Sequence, residues 1–247
     1  MMKIYAHISS GKYHPISGED FIFHKVINEQ WLVAAVMDGC SSGKESHFAS
    51  TAYGKSLEKS CRMLPNMNDI HPEFGSETTT KRAIGLFILR QLFSDVKNLK
   101  KLFYLKIEEI LATIILLVYD LRSNTAWVCT SGDGVLCYNH ELHEIDQHNM
   151  PDYLGYHLDR SFQEWYEHHT DSMEFGGIRD FSISTDGIMK LIPASGKNKG
   201  IIDPVEYLLK QHPENAPAHF ISDRYHNLIE NEDYIPYDDI GIIRVIP

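Results

Sequence analysis

Cysteine is scarce in this chain. Cys40, Cys61, Cys129 and Cys137 are the only four in 247 residues. They form no CxxC pair and no dense framework, which excludes a disulfide scaffold and points to a reducing compartment. Basic side chains are also short. Lys and Arg number 23 against 34 Asp and Glu, a formal charge of -11. That balance excludes the basic footprint of a nucleic-acid binder. No apolar run is long enough for a membrane span, since the longest, from Ile110 to Tyr119, is interrupted by Thr113. The opening residues, MMKIYAHISSGKYH, lack the apolar core of a signal peptide. Internal repeats, low-complexity tracts and linker-like Pro, Gly or Ser stretches are missing. The expectation is one domain over 1–247, cytoplasmic and monomeric, with neither nucleic acid nor membrane as partner.

What is present is an ordinary globular composition, 43% hydrophobic and 23% charged. At this length a core forms without disulfide or metal staples. Strands are predicted over 2–9, 20–27 and 31–37, the last (WLVAAVM) apolar throughout and therefore buried on both faces. Phe48, Ala52, Tyr53, Leu57, Cys61 and Leu64 then recur at helical spacing. A second helix begins near the hydroxyls of 77–80, which suit an N-cap, and runs toward Phe103. Strands return over 111–120, 126–131 and 135–138, the last two flanking Gly132-Asp133-Gly134 as a hairpin, with 141–145 extending the meander. The stretch 146–178 is irregular, with a short helix within 158–168. A strand over 179–184, helices over 204–211 and 216–230, and a closing strand IGIIRVI complete the chain. Strands in blocks with helices between them read as α+β, with helices on mainly antiparallel sheets.

Several acidic motifs share one design. Asp38-Gly39 and Asp186-Gly187 follow buried strands, Asp238-Asp239 precedes one, Gly18-Glu19-Asp20 precedes another, and Asp133 sits between glycines. A single Asp-Gly is usually only a turn. Carboxylates converging from strand ends are, however, what Mg²⁺ or Mn²⁺ requires, because these hard cations take oxygen ligands.

The order GED, VMDG, GDG, STDG, DDIG resembles the metal-dependent serine/threonine phosphatases of the protein phosphatase 2C family, as a divergent bacterial-type member. The resemblance runs from about residue 5 to 246. It implies two antiparallel sheets packed as a sandwich between layers of helices, α-β-β-α, in one domain. It implies two Mn²⁺ or Mg²⁺ ions held by Glu19, Asp38, the Gly39 carbonyl, Asp186 and Asp238, with a weaker third position at Asp133. Asp239 is expected to support these ligands rather than bind an ion itself. The implied activity is hydrolysis of phosphoserine or phosphothreonine, on a phosphorylated protein substrate in signalling, by a metal-activated bridging water.

The chain departs from the family pattern in places. Where members commonly carry a phosphate-clamping Arg, this chain has Pro15, leaving Lys12 and His14 as candidate phosphate contacts. Neither offers the bidentate fork of Arg. Cys40 follows the Asp-Gly motif where His is frequent, and Gly241 stands where Thr or Ser is usual. These changes keep a second reading open, a catalytically weak module that binds phosphoproteins. A thiol-nucleophile phosphatase is disfavoured because CSSGKES holds no Arg. The same segment lacks the first Gly and the hydroxyl of a nucleotide-binding phosphate loop. The pairs His168-His169 and His140/His143 read as surface histidines, since no Cys or carboxylate nearby completes a zinc pattern.

Overall fold

A computed structural model describes residues 2–14, 17–64, 80–147, 150–194, 202–212 and 216–247. Strand β3 (Trp31–Asp38) explains the architecture. Successive side chains on a strand point to opposite faces. Val33, Ala35 and Met37 face a helical layer, while Leu32, Ala34 and Val36 face a second sheet. All six are buried, which is why the segment reads as an unbroken apolar run.

The first sheet orders β2 (Asp20–Ile27), β3, β4 (Ile114–Asp120), β5 (Thr125–Ser131) and β8 (Asp171–Gly176). The second orders β1 (Lys3–Ser9), β12 (Ile240–Ile246), β9 (Phe181–Ser184), β6 (Gly134–Tyr138) and β7 (Glu141–Ile145). Every pairing is antiparallel. A small ribbon of β10 (Leu191–Pro193) and β11 (Tyr234–Pro236) adds to these. Helices α1 (Ser46–Met63), α2 (Lys81–Phe103) and α3 (Phe162–His168) cover the first sheet through Tyr53, Leu57, Leu92 and Trp165. Helix α4 (Phe220–Glu230) and the short helical turn 206–210, within the expected helix 204–211, cover the second through Leu208, Phe220 and Leu228. The result is the α-β-β-α sandwich of an α+β fold.

Thr80 caps α2, its hydroxyl accepting from the Ala83 N–H at 3.1 Å; positions 77–79 lie outside the described residues. Tyr104, in the left-handed region at φ 54°, ends the same helix. The turn 206–210 is pinned from below. Arg244, fully buried on β12, donates to Asp180 from Nε at 3.0 Å and from Nη2 at 2.5 Å, and from Nη1 to the Leu208 and Gln211 carbonyls.

Two expectations need correction. Gly132-Asp133-Gly134 is not a hairpin. β5 pairs with β4 and β8, and β6 pairs with β7 and β9, so the motif crosses from one sheet to the other. The real hairpin follows at Asn139 and His140, whose φ angles of 46° and 73° suit a tight primed turn. The irregular stretch 146–178 also contains β8, an edge strand whose exposed alternate residues weaken its apolar signal.

Candidate metal centre

The acidic motifs meet at one end of the sandwich. Asp38 closes β3 and stands directly opposite Asp20, the first residue of β2. Asp186 follows β9 on a short turn, 186–190, and Asp238 and Asp239 precede β12, which pairs with β9. Asp133 lies on the crossover between sheets. Glu19, Asp38, Asp133, Asp186 and Asp238, with Gly39, Cys40, Thr113 and Lys190, line a cavity of about 210 Å³. A larger groove of about 720 Å³ between α1 and α2, edged by Lys55, Lys59 and Asp95, holds none of these acids.

Local hydrogen bonds set each carboxylate. Asp38 is tied to Thr113 twice, its N–H to Thr113 Oγ1 at 3.0 Å and its carbonyl accepting from the Thr113 N–H at 2.8 Å. Ser41 Oγ donates to Glu19 Oε2 at 2.7 Å. Asp133 Oδ1 accepts from the Gln147 N–H at 2.8 Å. Asp239, buried, accepts from the Gly11 N–H at 2.6 Å and from the Glu19 N–H, welding β1, β2 and β12 together. Thr185 Oγ1 donates to Asp20 Oδ2 at 2.6 Å and accepts from the Gly241 N–H at 2.9 Å. Two glycines permit this closeness. A Cβ on Gly39 would collide with the Ser46 carbonyl, and one on Gly187 with the Asp239 carbonyl.

The crowding shows in the acidities. Burial, then the charges of Asp20, Asp186 and Asp238, hold the Asp38 carboxyl well above its ordinary range. Burial also raises Asp20, with Asp239 adding to it, against a lowering by the Thr185 hydrogen bond. Asp20 Oδ1 is buried without a hydrogen-bond partner. Burial raises Asp133 as well, opposed by the Gln147 N–H and reinforced by Asp186. Gathered anions that raise one another's pKa are stabilised by a cation. The donors are carboxylates plus a glycine carbonyl, so the site fits a hard divalent ion.

The structure places the two candidate phosphate contacts differently. Lys12 is exposed and stands over the Tyr237 ring, 5.8 Å from its centroid; it does not line the cavity. His14 sits among the acids instead, with Nδ1 3.0 Å from Asp239 Oδ2 and 3.8 Å from Asp238 Oδ1, and Nε2 3.5 Å from Glu19 Oε1. Pro15 lies outside the described residues.

Sequence reasoning missed Lys190. Its Nζ lies 2.8 Å from Asp186 Oδ2 and 2.6 Å from Asp238 Oδ2. Partial burial opposes its charge, but the bonds to Asp186 and Asp238 outweigh this and raise its pKa. The one available signal was its position four residues after Asp186, on the same turn. Tyr153 was missed too. It lines the cavity, and burial, then the neighbouring Cys40, push its phenol upward.

Two antiparallel sheets between helices, with carboxylates converging at one sheet end, define an α-β-β-α sandwich whose acidic pocket suits divalent cations. Residues 5–217 match the family model described as protein phosphatase 2C, and the chain belongs to that family. The family's members use divalent metals to dephosphorylate phosphoserine and phosphothreonine in proteins. Solved structures share the fold. The phosphatase domain of SpoIIE from Bacillus subtilis, with a fragment of its regulatory domain, is 16% identical with a TM-score of 0.61, over 100% of this chain and 63% of that one. The chain thus spans less than two thirds of that structure. RsbX, solved in complex with magnesium, is 16% identical with a TM-score of 0.57, over 99% and 94% of the two chains. PppA, a T6SS regulatory component in Pseudomonas aeruginosa, is 16% identical with a TM-score of 0.61, over 99% and 97%. No curated protein matches the sequence. Among the described residues no helix is long and apolar enough to cross a membrane.

Proposed function

We propose that the acidic cavity hydrolyses phosphoserine and phosphothreonine monoesters of a protein substrate, using two Mn²⁺ or Mg²⁺ ions. The observation that carries this reading is the convergence of Glu19, Asp38, Asp133, Asp186 and Asp238 on one small cavity. Glu19, Asp38, the Gly39 carbonyl, Asp186 and Asp238 would hold the two ions, and Asp133 a third. When bound, such ions lower the pKa of a water toward neutrality and offset charge on the transferred phosphoryl group.

The chain's own residues orient and balance this site. Thr113 fixes the backbone of Asp38 from both sides. Ser41 and His14 set the two oxygens of Glu19. Asp239 holds the loop that carries Glu19 and leaves the neighbouring Asp238 facing the cavity. Lys190 is the ammonium among the described residues lining the cavity, and it serves as phosphate contact in this reading, with Lys12 outside the lining. Its charge also stabilises Asp186 and Asp238 before a cation arrives.

The whole chain acts as one catalytic domain in this reading, since the acids come from positions 19 to 238. Its four free cysteines fit a reducing cytoplasm, and a signalling substrate fits the regulatory role of PppA as a T6SS component. The test is p-nitrophenyl phosphate turnover with and without Mn²⁺, in the native chain and in Asp38→Asn and Asp186→Asn.

A further inference from the structure

A second set of donors gathers behind the wall of the acidic cavity. Asp152 Oδ1 is 2.5 Å from His157 Nε2, and Asp152 Oδ2 is 2.7 Å from His169 Nδ1. The two imidazoles stack, with centroids 3.6 Å apart and planes 20° from parallel. One donor atom from each residue falls within 4.8 Å of the others. Residues 152, 157 and 169 come from a loop, a short helical turn and a helix end, so folding alone brings them together.

Each donor is anchored from behind. The Asp152 N–H donates to Gln147 Oε1 at 2.5 Å, and its carbonyl accepts from Ser131 Oγ at 2.8 Å. His157 ends the turn 154–157, whose Leu154 is fully buried. His169 caps α3, its N–H donating to the Trp165 carbonyl at 2.8 Å, and Trp165 is fully buried. In contrast, the side chains of Asp152 and His169 keep 34% and 21% of their surface in solvent, so an ion can enter.

We infer that Asp152, His157 and His169 form a transition-metal site of the zinc class, separate from the acidic cavity. Two imidazole nitrogens and one carboxylate are the donor set of an open zinc site, with water in the remaining position. The carboxylate-dominated cavity next door suits a harder ion. To bind one ion the stacked rings turn so that His157 Nε2 and His169 Nδ1 aim at a common point, each giving up its hydrogen bond to Asp152 and keeping a proton on the other ring nitrogen. An ion about 2 Å from each donor holds donors roughly 3.3 Å apart, against 2.5 and 2.7 Å between Asp152 and the two imidazoles without it. Pro151 and Tyr153, the chain neighbours of Asp152, both line the acidic cavity. A metal on Asp152 therefore fixes that wall.

The test is a Co²⁺ titration of the full chain carrying Asp38→Asn and Asp186→Asn, with excess Mg²⁺. Those two changes weaken the acidic cavity's claim on cobalt, and the histidine changes below separate this site from the remaining His14, Glu19 and Asp239 cluster, so the result stands whether or not that cavity is a phosphatase. The expected result is one equivalent of Co²⁺ with the intense visible bands of tetrahedral imidazole coordination, displaced by Zn²⁺. Adding His157→Gln weakens binding by about 100-fold or more, given that even supporting residues around a metal cost 10–100-fold. His169→Gln, at a more open position, does the same with the fold's circular dichroism retained. Absence of the bands, or bands untouched by either histidine change, would overturn the site and leave a hydrogen-bonded triad only.

Discussion

The Lys190 ammonium lies 2.6 Å from Asp238 Oδ2, and so it holds an oxygen that a bound cation would need. Lysine and metal compete for the same carboxylate. Lys190→Gln is expected to tighten Mn²⁺ binding by about 5-fold, equivalent to the roughly 1 kcal/mol of a well-made, partly exposed ion pair. The KM for a phosphorylated peptide should rise, because the cavity loses its ammonium. Isothermal titration and steady-state kinetics read the two effects. Weaker metal binding in the variant would show that Lys190 organises the acids instead of competing for them.

Asp20 and Asp38 face each other across β2 and β3, each with its pKa raised by burial, so ionising the pair sets up a repulsion that costs stability. Asp20→Asn removes that repulsion and keeps an oxygen to accept from Thr185. The metal-free chain should gain about 1 kcal/mol in urea unfolding with chelator present. Affinity for Mn²⁺ should fall at the same time, since the cavity loses a nearby negative charge. A destabilised metal-free variant would contradict the repulsion.

His7 is buried beside Tyr225 and His226, with Nδ1 3.1 Å from Ser222 Oγ and no partner for Nε2. Burial, helped by His226, lowers its pKa to about 4 from its ordinary 6.5. The folded chain therefore keeps His7 neutral, while the unfolded chain protonates it below about 6.5. The unfolded state binds the extra proton in that window, so this stability is present above 6.5 and is lost as pH falls toward 4. Between pH 7.5 and 5 the loss is about 2 kcal/mol. His7→Gln should show a shallower decline over the same range in urea unfolding; identical slopes would remove His7 from the account.

Arg244 and Asp180 form a buried bidentate pair. Arg244→Met strands the Asp180 carboxylate and releases the carbonyls of 208, 210 and 211. A loss of about 3–5 kcal/mol is expected. Adding Asp180→Leu should recover part of it, because no uncompensated charge then remains in the core. A double variant no more stable than the single would argue that the carbonyl contacts, not the ion pair, dominate.

Much of this molecule can be read from its residues. The period-two and fully apolar runs locate β2, β3 and β12, and Thr80 marks the start of α2. The acids were identifiable because strand-end Asp-Gly motifs repeat in a family's order. Other features depend on the tertiary path. Gly132-Asp133-Gly134 carries the same turn chemistry whether the chain folds back or crosses to another sheet, so its residues do not tell the two apart. Lys12 is near Glu19 in sequence but points to Tyr237 in space. His169 looked like half of a surface pair with His168, yet its partner is Asp152, 17 residues earlier. A contact that long is fixed by where α3 packs through Trp165, which no local pattern encodes.

Metal-dependent turnover of p-nitrophenyl phosphate is the most direct test of the central claim. Wild-type chain freed of metal should be inactive, and Mn²⁺ should restore hydrolysis. Asp38→Asn and Asp186→Asn should each lower kcat by about 100-fold or more, with unfolding curves showing the fold intact. Turnover that persists in chelator, or that survives both substitutions at wild-type rate, would contradict the account.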